Sequence, residues 1–301
     1  MSKKSLVSGP EWPTLALIAA VYALWIAVTI HASALTPWTA TPLVALALTL
    51  HSSLQHEVIH GHPLPSRRLS AALVYPPLGL AIPYPRFRDQ HLAHHRDADL
   101  TDPYDDPESN YLDPAVWERL PGWVRRVLLF NNTLLGRMTV GPAVGMAAFL
   151  REEARAARAG DRAVWRAWGL HALGLVPVGL WIAHVGTMPV WAYLLAAYLA
   201  LSVLKIRTFL EHQAHERARG RTVIIEDRGP LAFLFLNNNF HAVHHAHPQV
   251  PWYRLPALYA SRRAEYLRRN LGYRYASYGE VLGLHLLRRK DPVAHPHRRG
   301  P

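Results

Sequence analysis

The chain contains no cysteine. Disulfides, zinc–thiolate sites, iron–sulfur clusters and a fused rubredoxin are therefore excluded. Charge is also scarce: Asp, Glu, Lys and Arg make up 18% of the 301 residues, whereas half are hydrophobic. That balance is too apolar for an ordinary soluble enzyme and too charged for a plain bundle of membrane helices. It points to apolar spans joined to a polar catalytic part. Acidic residues are the scarcer sign, 21 against 33 Lys and Arg, which gives a net charge of +12. A basic surface suits nucleic acid, anionic lipid or an acidic protein partner. What the chain does have is ten tryptophans and thirteen tyrosines, as interfacial aromatic belts require. It also has nineteen histidines, far above background.

Four apolar segments read as membrane helices, over residues 15–35, 42–60, 168–185 and 190–206. The first and second are joined by a short connection, as are the third and fourth, so each pair forms a helical hairpin. No small-residue cleavage motif follows the first run, so it reads as a span and not as a signal peptide. The turns around Pro37 and Met188 hold no Lys or Arg. Lys3 and Lys4 precede the first span, fourteen basic residues lie from Arg67 to Arg166, and seventeen follow from Lys205 onward. The positive-inside rule then places the N-terminus, residues 61–167 and residues 207–294 in the cytoplasm. Topology accounts for the basic residues, and no nucleic-acid motif accompanies them, so no nucleic-acid partner is expected. Residues 69–82 are apolar but short and interrupted by Pro76 and Pro77, which suits an interfacial or re-entrant segment. Residues 144–162 read as an amphipathic helix bearing Arg151, Arg155, Arg158 and Arg162. Residues 295–301 read as a disordered, Pro-rich tail. The expectation is one all-α membrane domain over residues 1–294, with four transmembrane helices in two hairpins and a cytoplasmic helical cap that carries a histidine-rich dimetal site.

Three histidine clusters stand out: His56-Glu-Val-Ile-His60-Gly-His62, His91-Leu-Ala-His94-His95 and His241-Ala-Val-His244-His245. Residues three or four apart share a helix face, so each cluster is expected to hand two or three imidazoles to one point in space. A solitary histidine in an apolar chain is ordinarily a satisfied core or surface residue, and His31, His51, His171, His184 and His285 are read that way. An HxxxH and two HxxHH are different, because so many clustered imidazoles are costly to desolvate without a shared purpose. Metal binding supplies one. Zinc takes four ligands and a catalytic zinc three, so this number of histidines implies two ions. All-imidazole ligation also separates the site from soluble di-iron bundles built on glutamates.

These boxes, their order and their placement after hairpin helices resemble the membrane fatty acid desaturase superfamily, which also contains alkane hydroxylases and carotenoid hydroxylases and ketolases. The likeness runs from about His56 to Tyr253. Asn237-Asn-Asn-Phe-His-Ala-Val-His-His-Ala-His-Pro resembles the last box of bacterial acyl-lipid desaturases. Arg207-Thr-Phe-Leu-Glu-His212 resembles the extra histidine that many members carry after the last membrane helix. The resemblance implies two iron ions held by His56, His60, His91, His94, His95, His212, His241, His244 and His245, with His62, His215 and His247 as further candidates. It implies O₂ as co-substrate and a lipid or fatty-acyl substrate, desaturated, or alternatively hydroxylated or ketolated. No cytochrome b5-like His-Pro-Gly-Gly motif is present, so a separate carrier such as a ferredoxin is expected to supply electrons, and its acidic surface would meet the basic face. The implied location is the bacterial inner membrane, with both termini cytoplasmic. Glu57, Asp89, Asp97, Asp102, Glu211, Asn238 and Asn239 are candidates to hydrogen-bond the ligands from behind, with a turn or cap role as the alternative for the two asparagines. The Asp- and Pro-rich stretch 97–108 also reads as a solvated loop.

Two rival readings exist. His56-Glu57-Val-Ile-His60 matches the HExxH pattern of zinc metalloproteases, but leaves two clusters unexplained. A metal transporter would place ligands near the bilayer midplane, whereas these clusters fall at the cytoplasmic edge of the expected spans.

Overall fold

The computed structural model describes residues 9–298. It is mainly helical, and the all-α expectation needs one amendment. Ile224–Ile225 pairs in parallel with Arg274–Tyr275, Ile224 opposite Arg274. The chain divides into two compact units. The first holds the described residues up to Arg88 together with Phe149–Leu201, and the second holds Asp89–Ala148 and the chain from Ser202 onward.

Three helices among the described residues are long and apolar enough to cross a membrane: Trp12–Ile30, Arg162–His184 and Val190–Thr208. At 1.5 Å per residue they reach roughly 28–35 Å, the thickness of a hydrocarbon core. The expected fourth span is the helix Pro37–Ile59, 23 residues long. Its length suffices, but its second half carries His51, Ser52, Ser53, Gln55, His56 and Glu57, which spoil its apolarity. Boundaries shift as well. The first helix stops at Ile30 and not at residue 35, because His31–Leu35 turns back on itself through bonds to the His31 carbonyl. The third span begins at Arg162, where Asp161 caps the Ala163 N–H at 2.8 Å. The amphipathic helix therefore ends earlier than expected, spanning Gly141–Arg158, and Gly160 makes the turn at φ +84°.

Within the first unit, small residues let helices approach closely. Ala40, Val44, Ala47, Ala192, Ala196 and Ala200 pack in one core with Trp25, Leu48 and Tyr193. The two hairpin turns are tied together, since the Thr187 N–H donates to the Thr29 carbonyl at 2.8 Å and the Thr187 hydroxyl to that of Ile30 at 2.8 Å. On Arg162–His184 the exposed residues Leu173, Val176 and Leu180 recur at helical spacing, as a lipid-facing stripe would. The stretch 69–82 begins as the short helix Arg67–Leu73 and continues as irregular backbone. Its carbonyls are satisfied partly by backbone N–H groups within the stretch and partly by side chains, which is the condition for irregular backbone at membrane depth. Tyr193 Oη donates to the Leu78 carbonyl at 2.8 Å while accepting from Trp25 Nε1 at 2.9 Å, and His171 Nε2 meets the Leu80 carbonyl at 2.9 Å. Tyr193→Phe strands both the Trp25 N–H and the Leu78 carbonyl in a buried place. We expect it to lower stability in detergent by about 1–3 kcal/mol, read as the unfolding midpoint, and an unchanged midpoint would contradict the arrangement.

In the second unit, Ile224, Phe240, Val243, Leu255, Tyr259 and Tyr266 form a core beneath the last histidine box. Leu236 and Asn237 adopt left-handed backbone at φ 51° and 56°. They turn the chain out of the helix Pro230–Leu234 and into the helix His241–Ala246. The end of the chain departs from the expected loose tail. The His295 N–H donates to the Leu112 carbonyl at 2.8 Å, and Arg298 pairs with Asp113 at 3.2 Å and with Asp102. Residues 299–301 of the expected tail lie outside the described residues.

Candidate metal centre

Within the second unit the histidines sort into two neighbouring groups. His94, His212, His241 and His245 bring one ring nitrogen each to within 4.8 Å of one another. The Nε2 atoms lie 2.9 Å apart for His94 and His212, and 3.1 Å apart for both His212–His241 and His241–His245. His91, His95 and His244 form the second group, with His95 and His244 joined Nε2 to Nε2 at 3.2 Å. The rings of His95 and His245 stack at 4.2 Å where the groups adjoin.

This corrects the expectation that each box feeds one point. Each HxxHH divides two and one. His91 and His95 stay together while His94 joins the other group, and His241 and His245 stay together while His244 crosses. The reason is helical geometry: an i, i+4 pair is offset by about 40° around the axis, whereas i+3 falls about 60° to the other side. His91 and His94 stand in the last turn of the helix Tyr84–His94, His95 follows it directly, and His212 follows Val190–Thr208. In the first unit, His56 and His60 lie at the C-terminal end of Pro37–Ile59, ring centroids 5.1 Å apart.

The outward nitrogens decide what the inward ones can do. His94 Nδ1 meets Asp106 at 2.7 Å, His91 Nδ1 meets Glu108 at 2.9 Å, and His241 Nδ1 meets Asn238 Oδ1 at 3.2 Å. Carboxylate and amide oxygens accept, so these Nδ1 atoms carry the protons and the Nε2 lone pairs face inward. Lone pairs gathered at about 3 Å repel unless a cation sits among them, and donors backed by carboxylates are how proteins hold one. Burial, reinforced by the neighbouring histidines, lowers the His95 pKa to about 3 and holds His212, His241 and His245 well below the ordinary value. They are therefore neutral, as ligands must be. His94 differs. Burial lowers its pKa, but the Asp106 bond and the Glu108, Asp106 and Glu211 charges outweigh this and raise it to about 9, the opposite direction to His95, His212, His241 and His245.

The other expected residues scatter. Glu211 and Asn238 stand behind His241: Asn238 Nδ2 donates to Glu211 at 2.7 Å, and Arg207 pairs with Glu211 at 3.2 Å. Asn239 instead donates to the Ile225 and Asp227 carbonyls at 2.6 and 3.0 Å. Asp102 and Asp97 serve the loop, Asp102 accepting from the Tyr104 and Asp105 N–H groups and Asp97 from that of Asp99. Asp89 is half-buried on the helix Tyr84–His94, and Glu57 faces His62 at 3.8 Å. His62 groups with Glu11 and Glu57 and not with other histidines. His215 accepts the Arg217 N–H at 3.0 Å, and His247 packs edge-on against Tyr266. The sequence reading missed Asp106 and Glu108 as individual residues. Their only signal was the Asp- and Pro-rich stretch after the second box.

This constellation of split histidine boxes backed by carboxylates accords with the match of a fatty acid desaturase family model over residues 32–277. The chain belongs to the fatty acid desaturase family. A β-carotene ketolase from Paracoccus sp. (strain N81106 / MBIC 01143) is a relative, 27% identical over 258 residues, covering 79% of this chain and 88% of its own. This desaturase-family protein is an O₂-dependent oxidoreductase of the membrane, and its histidine cluster is able to bind metal. The family implies a lipid substrate.

Proposed function

We propose that the protein holds two iron ions and oxidises an unactivated C–H bond of a long apolar lipid, foremost as a fatty-acyl desaturase. The observation that carries this is the pair of adjoining, buried imidazole groups. His94, His212, His241 and His245 would hold one ion, and His91, His95 and His244 part of the other's ligand set. The HxxxH spacing nominates His56 and His60 as the remaining ligands. Iron held there would supply reductive activation of O₂. The chain's own task is to gather the imidazoles, orient those of His94, His91 and His241 through Asp106, Glu108 and Asn238, and place one substrate carbon beside them.

Four spans, with Pro37–Ile59 as the second and both termini in the cytoplasm of a bacterial inner membrane, are part of this proposal and rest on the charge distribution. A separate electron carrier such as a ferredoxin completes it. The ketolase relative supports a second reading, oxygen insertion into a carotenoid-like or other lipid carbon. Expression with a reducing partner, followed by lipid mass spectrometry, separates them. Desaturation removes two hydrogens from an acyl chain, whereas hydroxylation or ketolation adds an oxygen. Purified protein should carry two irons per chain. One zinc and peptide cleavage would overturn the proposal in favour of a metalloprotease.

A further inference from the structure

His94, His91 and His241 each have a side chain behind the ring, but His212 does not. Its Nδ1 is buried without a hydrogen-bond partner, although the Arg221 carbonyl lies toward the ring. The backbone must therefore aim this imidazole. His212 sits in an antiparallel bridge opposite Thr222. The Val223 N–H donates to the Glu211 carbonyl at 3.1 Å, and the Gln213 N–H to that of Arg221 at 2.9 Å. In such a bridge the flanking residues bond the partner, so the His212 carbonyl and the Ala214 N–H face the opposite edge.

Among the described residues no strand covers that edge. Two side chains stand in for one. Lys290 Nζ donates to the His212 carbonyl, and the Tyr111 hydroxyl accepts the Ala214 N–H at 2.8 Å. That hydroxyl donates in turn to Asp291 Oδ2, and Lys290 Nζ lies 3.6 Å from the same oxygen. Lys290 is itself firmly placed. Its side chain is 9% exposed. Its N–H donates to the Asn132 carbonyl at 3.0 Å, Asn132 Nδ2 donates back to the Asp291 carbonyl, and the Leu112 N–H meets the Val293 carbonyl at 2.9 Å. An ammonium buried this deeply needs partners, and one of those it has is the main chain of a histidine with nothing behind its ring.

We infer that Lys290 is the positioning residue of His212, acting on its main chain as Asp106 acts on the ring of His94, so that the segment after the helix Tyr278–His285 belongs to the histidine centre. This rests on the reading that the four-nitrogen group holds metal.

The test is a double-mutant cycle on the full-length chain in detergent. Affinity for ferrous iron is read by chelator competition without oxygen, as the chelator strength that removes the first ion. Lys290→Met keeps the apolar stem and loses the ammonium. It should lower that affinity about 10–100-fold, the loss expected for a group that orients a ligand. In a His212→Ala background the same change should alter affinity by no more than about twofold, because nothing is left for Lys290 to act on. A role in folding alone would lower affinity equally in both backgrounds, and that result overturns the inference. Native affinity in Lys290→Met also overturns it. Should Lys290→Met not fold, Lys290→Gln enters the same cycle. Its shorter stem draws the N–H donor back from the carbonyl, so a smaller loss is expected, and either no loss or a loss that persists without His212 counts against the inference. His212→Ala alone tests the metal centre. Native affinity there would refute the metal reading and the inference with it, whereas a loss there with none in Lys290→Met removes the inference only.

Discussion

Replacing His241 with alanine is expected to reduce bound metal affinity and O₂-dependent lipid oxidation to below about one-hundredth of the native values. Its Nε2 lies 3.1 Å from those of both His212 and His245, so its loss opens the four-nitrogen group. Removing a partner that merely orients a ligand costs about 10–100-fold in affinity, and removing the ligand itself costs more. The same change at His285, whose ring meets the Tyr275 hydroxyl at 3.1 Å, serves as the control and should leave metal content unchanged. Elemental analysis together with lipid mass spectrometry reads both. A His241→Ala protein with native metal and native turnover would refute the assignment.

The second large effect is expected at Asp106, which is buried at 4% exposure. Its carboxylate accepts from His94 Nδ1 at 2.7 Å, from the Thr101 N–H at 2.9 Å and from the Glu108 N–H at 2.9 Å. Asp106→Ala strands these donors together. We expect metal affinity to fall about 10–100-fold and stability to fall by about 3–5 kcal/mol, as when one member of a buried charged pair is removed. Asp106→Asn separates the two losses. Its amide oxygen still accepts from His94, but its nitrogen has no lone pair for the Thr101 N–H, so metal affinity should recover more than stability does. Chelator competition and thermal unfolding in detergent measure the two quantities. Equal recovery of both, or none of either, would show that Asp106 does not act on the two separately.

The parts of this protein legible from its sequence were those fixed by local periodicity. The HxxHH spacing revealed the clustered imidazoles, and long apolar runs revealed the three helices long and apolar enough to cross a membrane. Pro37–Ile59 was read as a further span, but its second half is polar, and the burial of His51, Ser53 and Glu57 is a tertiary matter that an apolar run does not show. The residues behind the imidazoles were read less well. Glu211 and Asn238 stand close to a box in the sequence and lie behind His241 in the structure. Asp106 and Glu108 lie more than ten positions beyond His94 and His91, in a loop with seven carboxylates, and spacing does not tell which of them turn inward. Asp102 misled for the converse reason, since its true partner, Arg298, comes from a segment that had read as loose. The division of each box between two groups was also hidden, because sharing a helix flank within about 100° does not say whether neighbours meet at one centre or two.

That division has a mechanical consequence. The helix His241–Ala246 is less than two turns long, and it contributes to both groups. Any rotation or shift of this one short rod moves donors on both sides in concert. The spacing between the two nitrogen groups is thereby gauged by the pitch of a single helical turn, and adding or deleting one residue between His241 and His245 would throw both out of alignment together.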